Sequence, residues 1–203
     1  MDDLALVKKV ALSGSKFQMI SAREMFESLV KLNQIKTKKP DDLSEILAGD
    51  DGEGKGSFWK LVFTVSKSNL NQATSKGLGS VSGNGGSFFP VTAVQNWNNA
   101  NMRIQNGIFI LGVFSLIFSG DFELVNKSGI LYFDFDRLDI ALGPIKFGFD
   151  LPPDEKRAGK KRPFFVWVHA DQDIAIARGR GGGLAVWKRV DQEYREEEGV
   201  YSS

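Results

Sequence analysis

The sequence predicts a mainly β protein in which N-terminal α-helices precede an antiparallel sheet. Apolar residues recur at helical spacing in the first 48 residues, and their period changes to two from Phe58 onward. No helical pattern separates the eight or more strand-like runs that follow, and the gaps between them are of hairpin length. Strands in such a series pair antiparallel. A sheet of this size closes into a barrel or divides into a sandwich, so both architectures are open at this point.

Residues 1–48 are predicted as a helical segment. The stretch SARE at 21–24 is a capping box, in which Ser21 accepts from the backbone N–H of Glu24 and Glu24 reaches back. An apolar stripe begins directly behind it, and the stretch 38–47 offers a third short helix. The glycine-rich, charged stretch 48–57 is the expected linker from the helices to the strands.

The predicted strands alternate apolar and polar residues and are bounded by Asn, Gly, Pro or Asp. They are 58–65, 89–97, 101–111, 114–125, 129–142, 164–170, 173–178 and 184–190. The stretch 67–87 is long, polar and rich in glycine and serine, which predicts a mobile loop. The polar tail 191–203 is expected to be frayed or a short helix. The chain thus divides into a helical segment 1–48, a sheet domain 58–190 and that tail.

Composition excludes several classes of function. With 26 basic and 25 acidic residues the net charge is +1, which favours neither nucleic acid nor an anionic membrane as a partner of the whole surface. Cysteine is absent and there is one histidine, so cysteine chemistry and a three-histidine metal site are excluded. We expect no metal and no cofactor. The longest apolar run, 108–118, is too short for a membrane-spanning helix, which needs about 20 residues.

Targeting and surface charge give weaker indications. The chain starts without the apolar core and cleavage site of a secretory signal, and we expect a mature form whose targeting segment has been removed. The basic run 154–162 is expected to be a solvated loop, with contact to anionic lipid headgroups as the alternative. No aromatic residues interleave with it, which argues against nucleic acid.

The glycine-rich stretch RGRGGG at 178–183 allows two interpretations. A dinucleotide-binding loop needs a third glycine at position 184 and a helix behind it, but Leu184 opens a run that alternates like a strand. The stretch is therefore predicted to be the turn of a hairpin, where positive φ angles favour glycine.

Asp134, Asp136 and His169 are the candidate catalytic residues. The DFD stretch at 134–136 resembles the start of an aspartyl-phosphatase motif, which requires a parallel strand in an α/β fold. Here we expect a strand with Leu131, Phe133 and Phe135 on its buried face and the carboxylates on its wetter face. An enzyme would need Asp134, Asp136 and His169 to converge on one cleft. Since the structural interpretation of this strand is favoured, we predict a protein without catalytic residues.

Aromatic residues provide the candidate binding site. The chain has 16 Phe and only 3 Tyr, and its four tryptophans all fall on predicted strands. They serve either as core or as the wall of a cavity, since a barrel of about eight strands can hold one small ligand. The candidate wall residues are Trp59, Trp97, Phe133 and Trp167, with Arg178 as a possible polar contact.

Three short motifs in order carry a resemblance to a known family. They are WKLVFT at 59–64, AVQNWNN at 93–99 followed by MRIQNGI at 102–108, and DQDIAIARGRGGGLAVWKR at 171–189. Over roughly residues 20–190 the chain resembles the plastid-lipid-associated proteins, or fibrillins. It departs from the family pattern at Ala175, where the closing motif has an arginine, while Arg178 and Gly179 are kept.

The resemblance implies a lipocalin-like β-barrel in the chloroplast, associated with thylakoids or plastoglobules. It implies non-enzymatic binding or organisation of apolar molecules such as carotenoids, quinones or acyl lipids. A structural role is the alternative, in which the protein coats lipid particles or holds photosynthetic protein partners without a ligand. The absence of the arginine at Ala175 puts headgroup recognition in question.

Overall fold

The computed structural model describes residues 2–13, 21–35, 43–49, 54–125, 128–152 and 162–200. The helices in these ranges are α1 (Asp3–Ser13), α2 (Ala22–Gln34), α3 (Leu43–Ala48), α4 (Lys67–Lys76) and α5 (Gln192–Glu197). The predicted capping box begins α2, because the Ser21 hydroxyl accepts from the Glu24 N–H and the Glu24 carboxylate accepts from the Ser21 N–H at 2.8 Å. The start of the predicted third helix and the middle of the predicted linker lie outside the described residues.

One antiparallel sheet contains all the strands of the described ranges. They are β1 (Ser57–Val65), β2 (Gly86–Phe88), β3 (Thr92–Asn98), β4 (Arg103–Ile110), β5 (Phe114–Val125), β6 (Ile130–Leu142), β7 (Ile145–Asp150), β8 (Phe164–Ala170), β9 (Ile174–Gly179) and β10 (Leu184–Val190). The prediction of a mainly β, antiparallel fold is therefore confirmed. The helices predicted within the first 48 residues are present as well.

The sheet closes on itself. Its strands follow the order β10-β9-β8-β6-β5-β4-β3-β1, and β1 pairs back to β10 along Phe58–Val65, which completes a ring. β2 adds to β1 and β7 adds to β6 outside this path. One edge of β6 pairs with two strands: Ile130–Tyr132 pairs with β8, and Arg137–Leu142 pairs with β7. The ring is thus complete at one end, whereas at the other end β7 continues the sheet away from it.

The inside of the ring is an apolar core that touches every ring strand, and we call it the inner core. Its buried residues on the strands are Trp59, Trp97, Ile104, Phe122, Leu131, Phe133, Trp167, Ala170, Ala175, Ala177 and Trp187. The α3 residues Leu43, Ile46 and Leu47 join this cluster, so α3 closes the complete end of the ring. Trp59 Nε1 donates to the Leu47 carbonyl at 2.9 Å, which fixes α3 against β1.

The remaining helices cover the outside of the ring. Residues of α1, α2 and α4 pack with Phe63, Ile174, Ile176 and Val186, whose side chains lie on the outer face of β1, β9 and β10. α5 continues the predicted tail as a short helix capped by Asp191, and Tyr194 packs near Phe58 and Val190. Both faces of β9 are therefore buried: Ile174 and Ile176 under helices, Ala175 and Ala177 inside the ring.

The predicted loop at 67–87 is wrong, because its first half forms α4. Ser66 caps the helix by accepting from the Asn69 N–H at 3.2 Å, and the buried Leu70 and Ala73 belong to the same apolar cluster as α2. Arg23 of α2 donates to the carbonyls of Leu78 and Val81, which holds the segment behind α4. Serine, asparagine and threonine are poor helix formers, so tertiary burial and the cap decide this helix.

The hairpin predicted at the glycine stretch is confirmed. β9 and β10 pair directly, the Gly182 N–H donates to the Gly179 carbonyl at 2.8 Å, and Gly182 has φ 85°. The element directly after the turn is strand β10, so the turn has no helix N-terminus to offer a phosphate group.

The turn from β8 to β9 is organised by one carboxylate. Asp171 accepts from the N–H groups of Asp173 and Ile174 at 2.8 and 2.9 Å, and from Lys8 of α1 at 3.2 Å. Burial raises the pKa of Asp171, but these hydrogen bonds outweigh burial and lower it from its ordinary value of 3.8 to about 2. The charged form is therefore favoured in the folded protein.

We expect Asp171→Asn to lower the free energy of unfolding at pH 7 by about 1–2 kcal/mol, since hydrogen bonds to a charged acceptor are lost. The contribution of Asp171 is complete above about pH 4 and is lost as the pH falls toward 2. Urea denaturation between pH 7 and pH 2 should show a shallower pH dependence for Asp171→Asn than for the wild type. Asp173→Asn, which removes only a half-exposed ion pair with Lys8, is the control. Equal pH dependence in wild type and Asp171→Asn would contradict this role.

Candidate functional site

A cavity of about 320 Å³, open to solvent at its mouth, lies on the inner face of the ring strands, on the side of the tryptophans away from α3. Apolar side chains of β1, β3, β4, β5, β8 and β10 form most of its wall, among them Leu61, Ala93, Ile108, Phe118 and Phe165. Gln95 and Asn106 are the polar exceptions, together with the indole of Trp187. The volume falls at the lower end of the usual range for small-molecule pockets, which is about 300–1,000 Å³.

Four of the five candidate wall residues face the ring interior. Trp59 and Trp97 are fully buried, and Trp167 and Phe133 are nearly so. The ring centroid of Trp97 lies 5.8 Å from that of Trp59 and 5.2 Å from that of Trp167. These aromatic rings fill the closed end of the ring and form the packed layer beneath the cavity, whereas Trp187 reaches the cavity itself.

Arg178, the possible polar contact among the candidate wall residues, does not face the interior. Its side chain is exposed on the outer face of β9 and donates to Asn33 Oδ1 at 2.6 Å. The neighbouring inner positions are Ala177 and Gly179, so parity along the strand directs Arg178 outward. Ala175 lies on the inner face, fully buried and directly opposite Trp187, so a side chain at this position points into the ring.

Beyond the cavity, the inner face of the sheet continues as an exposed apolar surface, which we call the apolar extension. Its members on β4 and β5 are Ile108, Ile110, Phe114, Leu116 and Phe118. Its members on β6 and β7 are Leu138, Ile140, Leu142, Ile145, Phe147 and Phe149. The register places them side by side, since Ile140 pairs with both Leu116 and Phe147. Phe147 and Phe149 remain 57% and 51% exposed.

The opposite face is largely polar on β6 and β7, whereas on β4 and β5 it also carries the apolar Phe109 and Ile117. Arg137 binds Asp139 at 2.8 Å and Asp150 at 3.2 Å, and Lys146 and Gln105 lie on this face. A hollow of about 790 Å³ opens there, but Arg137 and Asp139 in its wall already neutralise each other. The sheet at β6–β7 is thus amphipathic, and its apolar side is the one continuous with the cavity.

On uncharged side chains of the inner core and the cavity wall, five buried polar atoms have no hydrogen-bond partner among the described residues. They are the indole Nε1 of Trp97, Trp167 and Trp187, Gln95 Oε1 and Asn106 Oδ1. A buried donor or acceptor without a partner costs about 1–3 kcal/mol, so such atoms mark places where a bound polar group is stabilising. Three of the five, on Gln95, Asn106 and Trp187, belong to residues that line the cavity.

The candidate catalytic residues have separate partners. Asp136 is held by Arg103, whose Nη2 donates to Asp136 Oδ1 at 2.8 Å, and this hydrogen bond lowers the pKa of Asp136. His169 Nε2 lies 3.2 Å from Asp171 Oδ2 in the turn described above. Asp134 lies on the outer face of β6, opposite Asp121. In the described part of the chain, no three His, Asp or Glu side chains are grouped to hold a metal ion.

Gln95 and Asn106, the polar residues of the cavity wall, are not among the candidates from the sequence, although the alternation of apolar and polar residues indicates the first of them. In AVQNW, Gln95 shares a face with Ala93 and Trp97, which makes it a polar residue on an apolar face. β7 was also missed, although IKFGFD alternates, because the run is short. The predicted basic loop at 154–162 lies outside the described residues except for Arg162, which binds Glu123 at 3.1 Å.

None of the helices in the described ranges combines the length and apolar character needed to cross a membrane. Comparison with models of known protein families gives no match, and comparison with functionally characterised proteins gives none either. The function must therefore be inferred from the geometry of the site.

Proposed function

We propose that this is a non-enzymatic binding protein that holds one apolar molecule inside the ring, in the manner of a lipocalin-like barrel. The motif resemblance to plastid-lipid-associated proteins suggests carotenoids, quinones or acyl lipids as ligands. It also suggests the chloroplast, at thylakoids or plastoglobules, as the place of action. The observation that carries the proposal is the continuity between the cavity and the apolar extension.

Burial of apolar surface would drive binding. Phe147, Phe149 and Leu142 each keep more than half of their surface exposed, although contiguous apolar surface of this kind is unfavourable in water. A ligand seated in the cavity with its chain along the apolar extension would cover this surface, at about 25 cal/mol for each Å² removed from water. The cavity alone would hold only a small molecule or one end of a longer one.

The turns at the open end support contact with a lipid surface. Leu111 is 93% exposed in a left-handed conformation (φ 53°), and Val113 and Ile145 are about half exposed nearby. The β4–β5 and β6–β7 turns are joined, since the Gly143 N–H donates to the Val113 carbonyl at 2.7 Å. An apolar tip beside the mouth of the ring is suited to collect a ligand from a membrane or a lipid particle.

The structural alternative is a protein that coats lipid particles or holds protein partners without a ligand. A fully packed ring would favour it, because such a ring has no room for a molecule inside. The cavity of about 320 Å³ at the open end of the ring leaves room for a ligand and therefore supports the binding proposal over this alternative.

The direct test measures uptake of an apolar molecule by the purified chain. Titration with N-phenyl-1-naphthylamine should give saturable fluorescence enhancement at about one probe per protein, and a quinone, a carotenoid or an acyl lipid should displace it. Lipid extraction and mass spectrometry of protein isolated from chloroplasts should identify a bound molecule. The absence of both saturable binding and extracted lipid would overturn the proposal in favour of the structural alternative.

Replacement of Phe147 with serine tests the apolar extension. We expect about fivefold weaker binding of the probe, since a half-exposed phenyl ring contributes about 1 kcal/mol when a ligand covers it. Lys146→Ser, on the opposite face of β7, should leave binding unchanged and serves as the control. Equal affinities for both variants would show that the extension does not contact the ligand.

A further inference from the structure

We infer that the ring interior selects a neutral ligand with a hydroxyl end and takes it up head first, with the apolar chain trailing along the apolar extension. This inference rests on the proposed function and adds the chemistry of the ligand's inner end. It is carried by three residues of the cavity wall, Gln95, Asn106 and Trp187, which we call the polar floor.

The polar floor presents both kinds of hydrogen-bonding atom. Gln95 on β3 and Asn106 on β4 are directly opposite each other in the register, so their side chains lie close together on the inner face. Their oxygens Oε1 and Oδ1 are buried acceptors without a partner, and the Trp187 Nε1–H is a buried donor without one. A hydroxyl group can pair with both kinds of atom, because it donates its hydrogen to an amide oxygen and accepts from the indole N–H.

The wall around the polar floor carries no charge. None of the residues that line the cavity in the described part of the chain is ionisable. The inward-facing Arg189 lies past Trp59, where it stacks at 4.7 Å from the indole centroid and donates to the Ile46 carbonyl and to Ser57 Oγ. A carboxylate or phosphate at the polar floor would lose its hydration without gaining an opposite charge, which is strongly unfavourable. Neutral head groups are therefore preferred to anionic ones.

The direction of the ligand follows from the two ends of the ring. α3 closes the end beneath the tryptophans, so the cavity is reached from the end where the apolar extension begins. The polar floor lies on the inner side of the cavity, next to Trp97, since Gln95 is two residues before Trp97 on the same face of β3. A chain bound tail first would place its hydroxyl at the apolar mouth and leave the buried polar atoms unpaired.

The experiment compares three probes of equal chain length, 1-dodecanol, dodecane and dodecanoate, as competitors of N-phenyl-1-naphthylamine. They are tested on the wild type, on Asn106→Leu and on the control Gln105→Leu. Gln105 is the neighbouring residue and lies on the outer face of β4. Asn106→Leu keeps the branched shape of the side chain and removes a buried amide oxygen without a partner, and the neighbouring cavity has room for the larger methyl groups, so we expect it to fold.

In the wild type, dodecanol should compete better than dodecanoate. In Asn106→Leu, the affinity of dodecanol relative to dodecane should fall about tenfold, the effect of losing one to two neutral hydrogen bonds. Gln105→Leu should keep the wild-type ratio. Trp187→Phe, which removes the donor and keeps an aromatic ring, should lower the same ratio.

The remaining outcomes separate failure of the inference from failure of the proposed function. If none of the three competitors displaces the probe from any variant, apolar binding inside the ring is itself wrong. All three competitors could displace the probe while the ratio of dodecanol affinity to dodecane affinity is the same in wild type, Asn106→Leu and Trp187→Phe. The ring would then bind apolar molecules, but the polar floor would not recognise the hydroxyl end. Tighter binding of dodecanoate than of dodecanol would overturn the preference for a neutral end.

Discussion

Replacement of Ala93 with phenylalanine is expected to weaken binding of an apolar probe at least tenfold while leaving the fold intact. Ala93 faces the interior from β3 and lines the cavity beside Ile108. A phenyl ring at this position occupies space that the ligand would need, and it can do so without displacing packed neighbours. Overpacking of a filled core costs about 1–3 kcal/mol, but the cavity removes most of that cost here. Probe titration and thermal unfolding of the same preparation measure both effects.

Ala141→Phe is the matched control for this substitution. Ala141 lies on the outer face of β6, beside the outer hollow, so the same added ring has room but does not approach the cavity. We expect wild-type affinity from this variant. If Ala93→Phe binds the probe as tightly as Ala141→Phe, the probe does not occupy the ring interior, and the proposed site is wrong.

Removal of the Trp97 indole should have the largest effect on stability. Trp97 is fully buried and contacts Trp59, Trp167 and Trp187, with ring centroids 5.2–6.3 Å away. Truncating a buried tryptophan to alanine costs about 3–5 kcal/mol, and loss of the unpaired Nε1–H offsets part of this. We expect Trp97→Ala to lower the free energy of unfolding in urea by about 3 kcal/mol, a large fraction of the 5–15 kcal/mol typical of a domain.

Phenylalanine at two positions separates packing from hydrogen bonding. Trp97→Phe removes a donor without a partner, whereas Trp59→Phe removes the donor that binds the Leu47 carbonyl at 2.9 Å. Both lose similar volume, so Trp59→Phe should be the more destabilising by about 1 kcal/mol. Equal losses, or a greater loss for Trp97→Phe, would show that the Trp97 indole N–H is not unpaired in the folded protein.

Local patterns predicted the elements whose determinants are close together in the chain. The Ser21–Glu24 capping box, the hairpin at Gly179–Gly183 and the inward set Leu131, Phe133 and Phe135 each depend on neighbours within a few residues. Their hydrogen bonds or alternation are visible in the sequence, and the structure confirms all three. The strand pattern also made Trp59, Trp97 and Trp167 candidate wall residues, and in the structure they belong to one apolar cluster inside the ring.

Patterns failed where long-range burial decides the conformation. α4 has weak helix formers, and it is held because Leu70 and Ala73 are buried in an apolar cluster with α2, which is distant in the chain. The sequence of β9 leaves the direction of Arg178 open, because the strand shows no polar face. Helices cover its outer side chains Ile174 and Ile176, while the ring encloses Ala175 and Ala177, so alternation cannot distinguish inside from outside.

The amino-acid order alone thus determined a mainly β chain with N-terminal helices, its turns and most of its strands, because these depend on side-chain periodicity and on residues suited to caps and turns. Only the tertiary structure decided that β1 pairs with β10, that β7 extends the sheet beyond the ring, and that Gln95, Asn106 and Trp187 meet at one cavity. The physical reason is that ring closure joins strands more than a hundred residues apart. No local pattern predicts which distant strand will pair with a given edge. The polar floor forms only when β1 pairs with β10 and brings Trp187 to the same cavity as Gln95 and Asn106.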